Sequence, residues 1–235
     1  RLTDVPAKIQ IQKQREILLF LIKILSFENF FLFLDLVYYR CSCFILNTRL
    51  IMNKDLRKVV ILLAHPNMKE SQANKALIDA VSDIEGVAVF NLYDQQGASF
   101  DVDEWSKIIS DASALIYQFP FHWMAAPSLL KKWQDEVFTF LSKTPAVAGK
   151  PLTVVTTTGS EYEAYRSGGR NRFTVDELLR PYQVSAIHSG MSWQTPVVVY
   201  GMGTADAGKN IAEGANLYKQ RVEMLIGSSN AGNNW

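Results

Sequence analysis

Residues 58–74 read KVVILLAHPNMKESQAN, a pattern that predicts a strand, a polar loop and the start of a helix. The apolar run from Val59 to Ala64 ends just before Pro66, and a short run of this kind is typical of a strand buried on both faces in a parallel sheet. Ser71 follows a polar loop and is the predicted N-cap of a helix. A helix N-terminus of this kind binds anions, because its first N–H groups are unpaired and the helix dipole favours negative charge. We therefore expect a phosphate ligand at this loop, although the chain contains no GxxxxGK[ST] motif.

The composition narrows the classes of function. The chain has 235 residues, which suits one domain with a full core, alone or with an appendage. Its net charge of +1 gives no electrostatic basis for nucleic-acid binding. The two cysteines, Cys41 and Cys43, precede the predicted domain, so a disulfide framework, a cysteine-based zinc site and a cysteine nucleophile are excluded there. The three histidines lie far apart in the sequence without metal-ligand spacing, and we predict no metal site.

Residues 1–51 differ in composition from the rest of the chain. Their apolar segment 17–39 contains three charged residues, each of which would cost about 2.5–3.5 kcal/mol near the centre of a membrane-spanning helix. No small-residue cleavage site follows this segment, as a secretory signal would require. Three interpretations of the extension stay open: an upstream segment with no part in the fold, a peripheral membrane-binding or partner-binding helix, or a true structural element. We predict a cytoplasmic protein whose domain spans residues 52–226 and whose last residues, 227–235, form a flexible tail.

From residue 58 onward, short apolar runs alternate with amphipathic segments. The predicted strands are 58–64, 87–92, 114–119, 152–157 and 184–189, with a further extended piece at 196–200. The predicted helices are 72–84, 103–111, 127–141, 174–181 and a last one near 206–226. This alternation predicts the α/β class, with right-handed βαβ units in a doubly wound, five-stranded parallel sheet that carries helices on both faces. Ligands of such sheets bind beyond the carboxyl ends of the strands, which directs attention to the loops after Ala64, Phe119 and Thr157.

The three loops carry different chemistry. The first contains Ser71 to Asn74, the second is the aromatic and proline-containing stretch 118–127, and the third is the small polar stretch 156–160. Taken singly, each has an ordinary structural explanation: a turn with a helix cap, a set of core aromatic residues, and a plain turn. At one sheet edge, a phosphate site, an aromatic wall and a loop of backbone donors together favour a ligand like flavin mononucleotide. The later stretch 201–206, GMGTAD, resembles a dinucleotide fingerprint, but Asp206 replaces its third glycine and no further βαβ unit follows.

Three longer motifs are similar to those of a known family: AHPNMKESQANKAL (64–77), QFPFHWMAAPSLLKKWQDEVFTF (118–140) and YRSGGRNRFTVDELLRPYQ (165–183). On these motifs, the segment 58–225 resembles the flavodoxin-like NAD(P)H:quinone oxidoreductases. This family includes bacterial modulator-of-drug-activity and general-stress oxidoreductases and the ancillary flavoproteins of glutathione-gated potassium efflux systems. The resemblance implies a flavodoxin-like fold, bound FMN (FAD occurs in the wider family), NADPH or NADH as electron donor, and a quinone-like acceptor.

The resemblance also implies roles for individual residues. The flavin phosphate and ribityl chain would be held by His65, Ser71, Gln72, Ala73 and Asn74, one side of the isoalloxazine by Phe121, His122, Trp123 and Met124, and its pyrimidine edge by Thr157, Thr158, Gly159 and Ser160. Tyr165 would face the flavin near the hydride-accepting region, and Asn171 stands where quinone reductases place a histidine partner to this tyrosine. Ser160 replaces a family glycine, and the loop that covers part of the flavin is shortened at 141–149. A homodimeric enzyme is implied; the alternative is a regulatory flavoprotein that binds a membrane potassium-efflux transporter.

Overall fold

The computed structural model describes residues 59–95, 97 and 99–228. The N-terminal extension 1–51 lies outside the described residues, and so does the tail beyond residue 228. Within the described ranges, no helix is both long and apolar enough to cross a membrane.

Six strands and seven α-helices make up the described domain. The strands are β1 (Val59–Leu63), β2 (Val87–Asn91), β3 (Ala114–Pro120), β4 (Pro151–Thr157), β5 (Ser192–Trp193) and β6 (Val197–Val199). The helices are α1 (Ala73–Asp79), α2 (Val102–Asp111), α3 (Ser128–Trp133), α4 (Thr139–Leu141), α5 (Val175–Leu178), α6 (Arg180–His188) and α7 (Ala207–Ser228). A π-helical turn, Gln134–Phe138, joins α3 to α4, and short 3₁₀ turns occur at Leu92–Gln95 and Tyr162–Tyr165. The ends of most predicted elements shift by a few residues only, but α1 stops at Asp79 rather than at residue 84.

The strands form one parallel sheet in the order β2-β1-β3-β4-β5. The fifth position is shared by two short pieces, because β5 pairs with the beginning of β4 and β6 pairs with its end. The chain reverses its direction of progress across the sheet between β1 and β3, which is the point where ligands bind in doubly wound sheets. The predicted α/β class and the five-position parallel sheet are therefore confirmed.

Helices cover both faces of the sheet, and the alternation of side chains along β1 shows how. Val59 and Ile61 point into a core that contains residues of α1 and α7. Val60 and Leu62 point into the larger core on the other face, which contains residues of α2, α3 and α6. Successive strand residues face opposite sides of a sheet, so a strand covered on both sides needs a continuous apolar run, as β1 has.

The predicted strand at 184–189 is wrong, because these residues lie in helix α6 and the turn after it. Burial in this segment follows a helical period: Tyr182 and Ala186 are buried, whereas Val184 and Ile187 are 60% and 61% exposed. Pro181 near the start of α6 fits a first helical turn, where its missing N–H costs nothing. The extended piece predicted at 196–200 is the true strand, β6.

Candidate functional site

Three loops meet at the carboxyl edge of the sheet because β1, β3 and β4 are neighbours. We call them the first loop (64–72), the second loop (121–127) and the third loop (158–161). The pairing of Leu63 with Gln118 and of Pro120 with Thr157 brings the ends of these strands level with one another. The three segments that the sequence assigned to a binding site therefore come together in space.

A buried amide fixes the spacing of the strand ends. Asn74, in the first turn of α1, is only 2% exposed, and its Nδ2 donates to Thr157 Oγ1 at 3.2 Å. Gln118 is fully buried on β3, and its Nε2 donates to the main-chain oxygen of Asn74 at 3.1 Å. This network ties α1, β3 and β4 together just below the loops. The polar atoms of the Asn74 side chain are therefore engaged with other protein groups.

The start of α1 is capped from the first loop. Ser71 Oγ accepts from Asn74 N–H at 3.2 Å, as predicted for a capping serine. Gln72 is exposed and makes no side-chain cap, while the following Ala73 is buried. The exposed Gln72 and the half-buried Ser71 thus border the space in front of the helix.

His65 connects the first loop to the second. Burial lowers the pKa of His65 below its ordinary value, and the charge of the nearby His122 lowers it further. His65 Nδ1 accepts from Asn67 N–H at 3.1 Å, which requires that this nitrogen carry no proton. The lowered pKa and this hydrogen bond both favour the neutral form of the imidazole.

The second loop contains a tight turn with unusual backbone angles. His122 and Ala125 exchange two main-chain hydrogen bonds, of 2.8 and 3.1 Å, around Trp123 and Met124. Both central residues have positive φ, 50° and 63°, a conformation that a two-residue turn of this type normally gives to asparagine and glycine. Trp123 is also 97% exposed. A strained turn that presents an apolar ring to solvent points to a functional contact.

A chain of aromatic rings supports the second loop from below. Phe121 stacks on Phe119, with ring centroids 6.3 Å apart and planes at 17°, and meets Tyr165 edge-on at 6.4 Å. Tyr165 continues to Tyr200 at 5.8 Å. Burial raises the pKa of Tyr200 to about 12, with smaller contributions from a nearby carboxylate and from neighbouring tyrosines. The predicted residues Phe121 and Tyr165 are thus in direct contact.

The Tyr165 side chain combines a buried ring with an accessible hydroxyl. The residue as a whole is only 4% exposed. Its hydroxyl donates to and accepts from no group in the described part of the chain, yet it is not among the fully buried unpartnered atoms. The ring is therefore fixed by packing while the oxygen remains open to a ligand.

The third loop has N–H groups without acceptors in the described chain, although all of its main-chain carbonyl oxygens accept hydrogen bonds. The main-chain oxygens of Thr158, Gly159 and Ser160 accept from three successive N–H groups of the segment 201–203, at 2.8–2.9 Å. In a trans peptide the N–H points opposite to the preceding C=O. The N–H groups of Gly159, Ser160 and Glu161 consequently point away from that segment, and they donate to no acceptor among the described residues.

The segment 200–206, here called the backing loop, contains the stretch GMGTAD, which resembles a dinucleotide fingerprint. It does not form a nucleotide fingerprint but supports the third loop through the hydrogen bonds just described. Gly201 has φ +78°, and a Cβ atom on Gly203 would lie 3.1 Å from Gly159 O. Gly203 therefore allows the two loops to approach closely, whereas Gly201 permits the positive φ of the turn. A Gly-x-Gly spacing directly after a strand was the available signal for this role.

Residues 166–172 form a further loop, here called the arginine loop, beside the third loop. Asn171 N–H donates to Ala164 O at 2.9 Å, whereas Asn171 Nδ2 is buried without a partner in the described chain. Arg170 Nη2 donates to Ser160 Oγ. Asn171 thus lies beside the turn that carries Tyr165, but no hydrogen bond joins their side chains within the described residues.

The described residues contain no group of three or more histidine, cysteine, aspartate or glutamate side chains arranged to hold a metal ion. In the described residues, the chemistry available at the sheet edge consists of N–H donors, amides, the two histidines His65 and His122, and aromatic rings. These groups suit a planar, anionic organic ligand.

Residues 57–222 match the sequence profile of the family described as having a flavodoxin-like fold. The chain belongs to this family. Among its relatives in the flavodoxin-like family, general stress protein 14 of Bacillus subtilis is 34% identical over 172 residues, with 71% of this chain and 98% of the relative covered. The uncharacterized NAD(P)H oxidoreductase YdeQ of the same organism is 34% identical, with 73% and 89% covered. KefG of Serratia proteamaculans, an ancillary protein of the glutathione-regulated potassium-efflux system, is 36% identical, with 61% and 81% covered.

Two solved structures of the flavodoxin-like family are similar to the whole domain. General stress protein 14 of Treponema denticola, solved in complex with FMN, is 30% identical with a TM-score of 0.65, covering 72% of this chain and 99% of its own. An NADPH-quinone reductase from P. pentosaceus is 26% identical with a TM-score of 0.60, covering 70% and 96%.

Proposed function

We propose that this chain is a flavin-dependent NAD(P)H oxidoreductase that binds FMN and reduces a quinone or related electrophilic acceptor. The observation that carries the proposal is that the N–H groups of Gly159, Ser160 and Glu161, beside the aromatic second loop, have no acceptor among the described residues. A flavin has a ring edge with hydrogen-bond acceptors and a flat face that packs on aromatic side chains. Two comparisons support this assignment: general stress protein 14 of Treponema denticola was solved in complex with FMN, and two further similar proteins are named as an NAD(P)H oxidoreductase and an NADPH-quinone reductase.

The residues present fit such a cofactor. A Cβ atom on Gly159 would meet nothing within 4 Å, so the space beside this donor residue is open. His65 and the residues Ser71 to Asn74 would border the phosphate and ribityl chain, with Asn74 acting through the framework that it holds. Phe121, His122, Trp123 and Met124 would line the ring system, and Thr157 to Ser160 would meet its pyrimidine edge.

FMN, when bound, would supply two-electron hydride chemistry for the overall reaction in which NAD(P)H, a quinone and one proton yield NAD(P)⁺ and the hydroquinone. The N–H groups of the third loop would hold negative charge at the ring edge, in the manner of other fixed donor groups in active sites. The Tyr165 hydroxyl would orient the reacting groups or supply a proton. Asn171, with its unpartnered Nδ2, would donate a hydrogen bond there.

The KefG relatives favour a second candidate function, in which the chain is a regulatory subunit of a potassium-efflux transporter. Exposed apolar side chains at Trp123, Val184 and Ile187 offer surface for a protein partner. Copurification with the transporter, without NAD(P)H-dependent turnover of any quinone, would favour the regulatory function.

For the enzyme we propose a homodimer, with Trp123, Met124 and the segment 127–141 near the twofold interface.

The direct test is to purify the protein and record its visible spectrum. We expect a yellow protein whose released cofactor is FMN, and which oxidises NADPH or NADH when a quinone is present. A colourless protein that takes up neither FMN nor FAD would disprove the proposed function.

A further inference from the structure

One arginine of the arginine loop is attached to the third loop. Arg170 Nη2 donates to Ser160 Oγ, which joins the two loops across ten residues of sequence. The backbone beside Arg170 is also fixed. A Cβ atom on Gly169 would lie 2.1 Å from a carbonyl oxygen of the 3₁₀ turn Tyr162–Tyr165, and Asn171 N–H donates to another oxygen of that turn at 2.9 Å. Arg170 is thus held next to the row of unpaired N–H groups.

No carboxylate among the described residues neutralises the charge of Arg170. None of the ion pairs in the described chain includes Arg170, and its hydrogen-bond partner there is the neutral hydroxyl of Ser160. Arg166 in the same loop differs, since its guanidinium lies 5.1 Å from the centre of the Tyr162 ring and donates to that hydroxyl at 3.0 Å. One guanidinium is therefore directed at the third loop, while the other is engaged with a tyrosine.

We infer that Arg170, held by Ser160, raises the reduction potential of the flavin by stabilising negative charge on its pyrimidine ring. The inference rests on the proposed function, because it requires the pyrimidine edge to lie at the third loop. A hydride brings two electrons and one proton to a neutral ring, so the reduced ring carries one negative charge until a second proton arrives. A nearby guanidinium lowers the free energy of this anion and leaves that of the neutral oxidised ring almost unchanged.

Ser160 supplies the side-chain oxygen on which the arrangement depends. A glycine at this position would offer no side-chain oxygen to an arginine. Here the serine hydroxyl anchors a long side chain that would otherwise move freely in solvent, so the positive charge stays at the edge of the site. We therefore expect the serine and the arginine to act as a pair.

The test compares Arg170→Ala with Arg166→Ala in the FMN-loaded protein. Both variants remove one arginine from the same loop, but only the first removes the charge directed at Ser160. We expect Arg170→Ala to weaken the binding of reduced FMN roughly three- to tenfold while oxidised FMN binds as before, which lowers the two-electron potential by about 15 to 30 mV. Arg166→Ala should leave the potential unchanged. Equilibration against reference dyes gives the potentials, and fluorescence titration gives the affinity for oxidised FMN.

Two further measurements sharpen the test. Ser160→Gly keeps the arginine but removes its anchor, so its potential should lie between those of the wild type and Arg170→Ala. The difference between wild type and Arg170→Ala should shrink at about 1 M salt, because salt screens the charge of an exposed guanidinium. Equal potentials in wild type and Arg170→Ala, with FMN bound to both, would overturn the inference and leave the proposed function intact. Equal shifts in both arginine variants would also overturn it. A wild-type protein that takes up no flavin would overturn both proposals.

Discussion

Asn74 is the residue on which the geometry of the site depends most. Asn74→Ala removes the donor to Thr157 Oγ1 and one acceptor of Gln118, all of which are buried. We expect the free energy of unfolding to fall by about 1–3 kcal/mol, because buried polar partners are left unpaired. FMN affinity should fall as well, since the loops lose their common anchor. Urea unfolding of the flavin-free protein measures the first effect, and fluorescence titration the second.

Lys75→Ala is the matched control for this prediction. Lys75 lies next to Asn74 on α1, and its exposed ion pair with Asp79 is worth less than about 1 kcal/mol. If Asn74→Ala were no more destabilising than Lys75→Ala, the amide network would have no structural importance.

Tyr165→Phe separates chemistry from packing. The phenylalanine ring keeps the contacts with Phe121 and Tyr200, so stability and flavin affinity should remain close to those of the wild type. If the hydroxyl stabilises charge during hydride transfer, its loss should slow flavin reduction by about ten- to a hundredfold. Stopped-flow reduction by NADPH and by NADH measures the rate. Tyr162→Phe, on the same 3₁₀ turn, is the control, and its flavin should be reduced at the wild-type rate. Equal rates in the wild type and both variants would mean that Tyr165 contributes to packing only.

His65 predicts how stability depends on pH. Burial and the charge of His122 lower the pKa of His65 in the folded protein, whereas in the unfolded chain its pKa is about 6.5. As pH falls through this value, the unfolded state binds more protons than the folded state does, so the free energy of unfolding should decrease. Urea unfolding of the flavin-free protein between about pH 7.5 and pH 5.5 should show a smaller decrease in His65→Gln. His188→Gln, which changes a histidine outside the site, should retain the wild-type decrease.

At the scale of elements, the arginine loop owes its position to one glycine. Gly169→Ala would force a methyl group against Glu163 O and should displace the loop, whereas Gly168→Ala meets nothing within 4 Å. We expect faster trypsin cleavage in this loop for Gly169→Ala, because a displaced loop exposes its arginines to the protease. Gly168→Ala is the control and should be cleaved at the wild-type rate. Equal cleavage of the two variants would mean that the close contact does not hold the loop.

The elements also show what could be predicted from the sequence. The continuous apolar run of β1 and the loop chemistry after β3 and β4 are local signals, and they located the three loops correctly. Most of helix α6 was not predicted because Val184 and Ile187 on its exposed face are apolar, and β-branched apolar residues are typical of strands. The bond of Asn74 to Thr157 joins residues 83 positions apart, so local pattern carries no signal for it. The backing loop carries one local signal, its Gly-x-Gly spacing after a strand, but the third loop that it supports is distant in sequence.

At the scale of the whole molecule, the strained turn of the second loop connects folding with assembly. In the double variant Trp123→Asn with Met124→Gly, two residues that adopt positive φ at little cost replace two that adopt it here with strain. We expect unchanged or higher stability of the isolated subunit, but weaker dimerisation because the exposed tryptophan is lost. Light scattering at micromolar concentration should give the dimer mass for the wild type and a lower mass for the variant. A monomeric wild type with FMN bound would disprove the proposed dimer.

The divided fifth strand has a consequence for how the molecule behaves in a crowded solution. An exposed sheet edge can recruit a strand from another chain, which is a route to aggregation. Here β5 and β6 are two and three residues long, and Pro196 between them has no N–H to offer. An incoming strand would find at most one short row of partners before the pairing broke. The division of the strand therefore protects this edge against polymerisation.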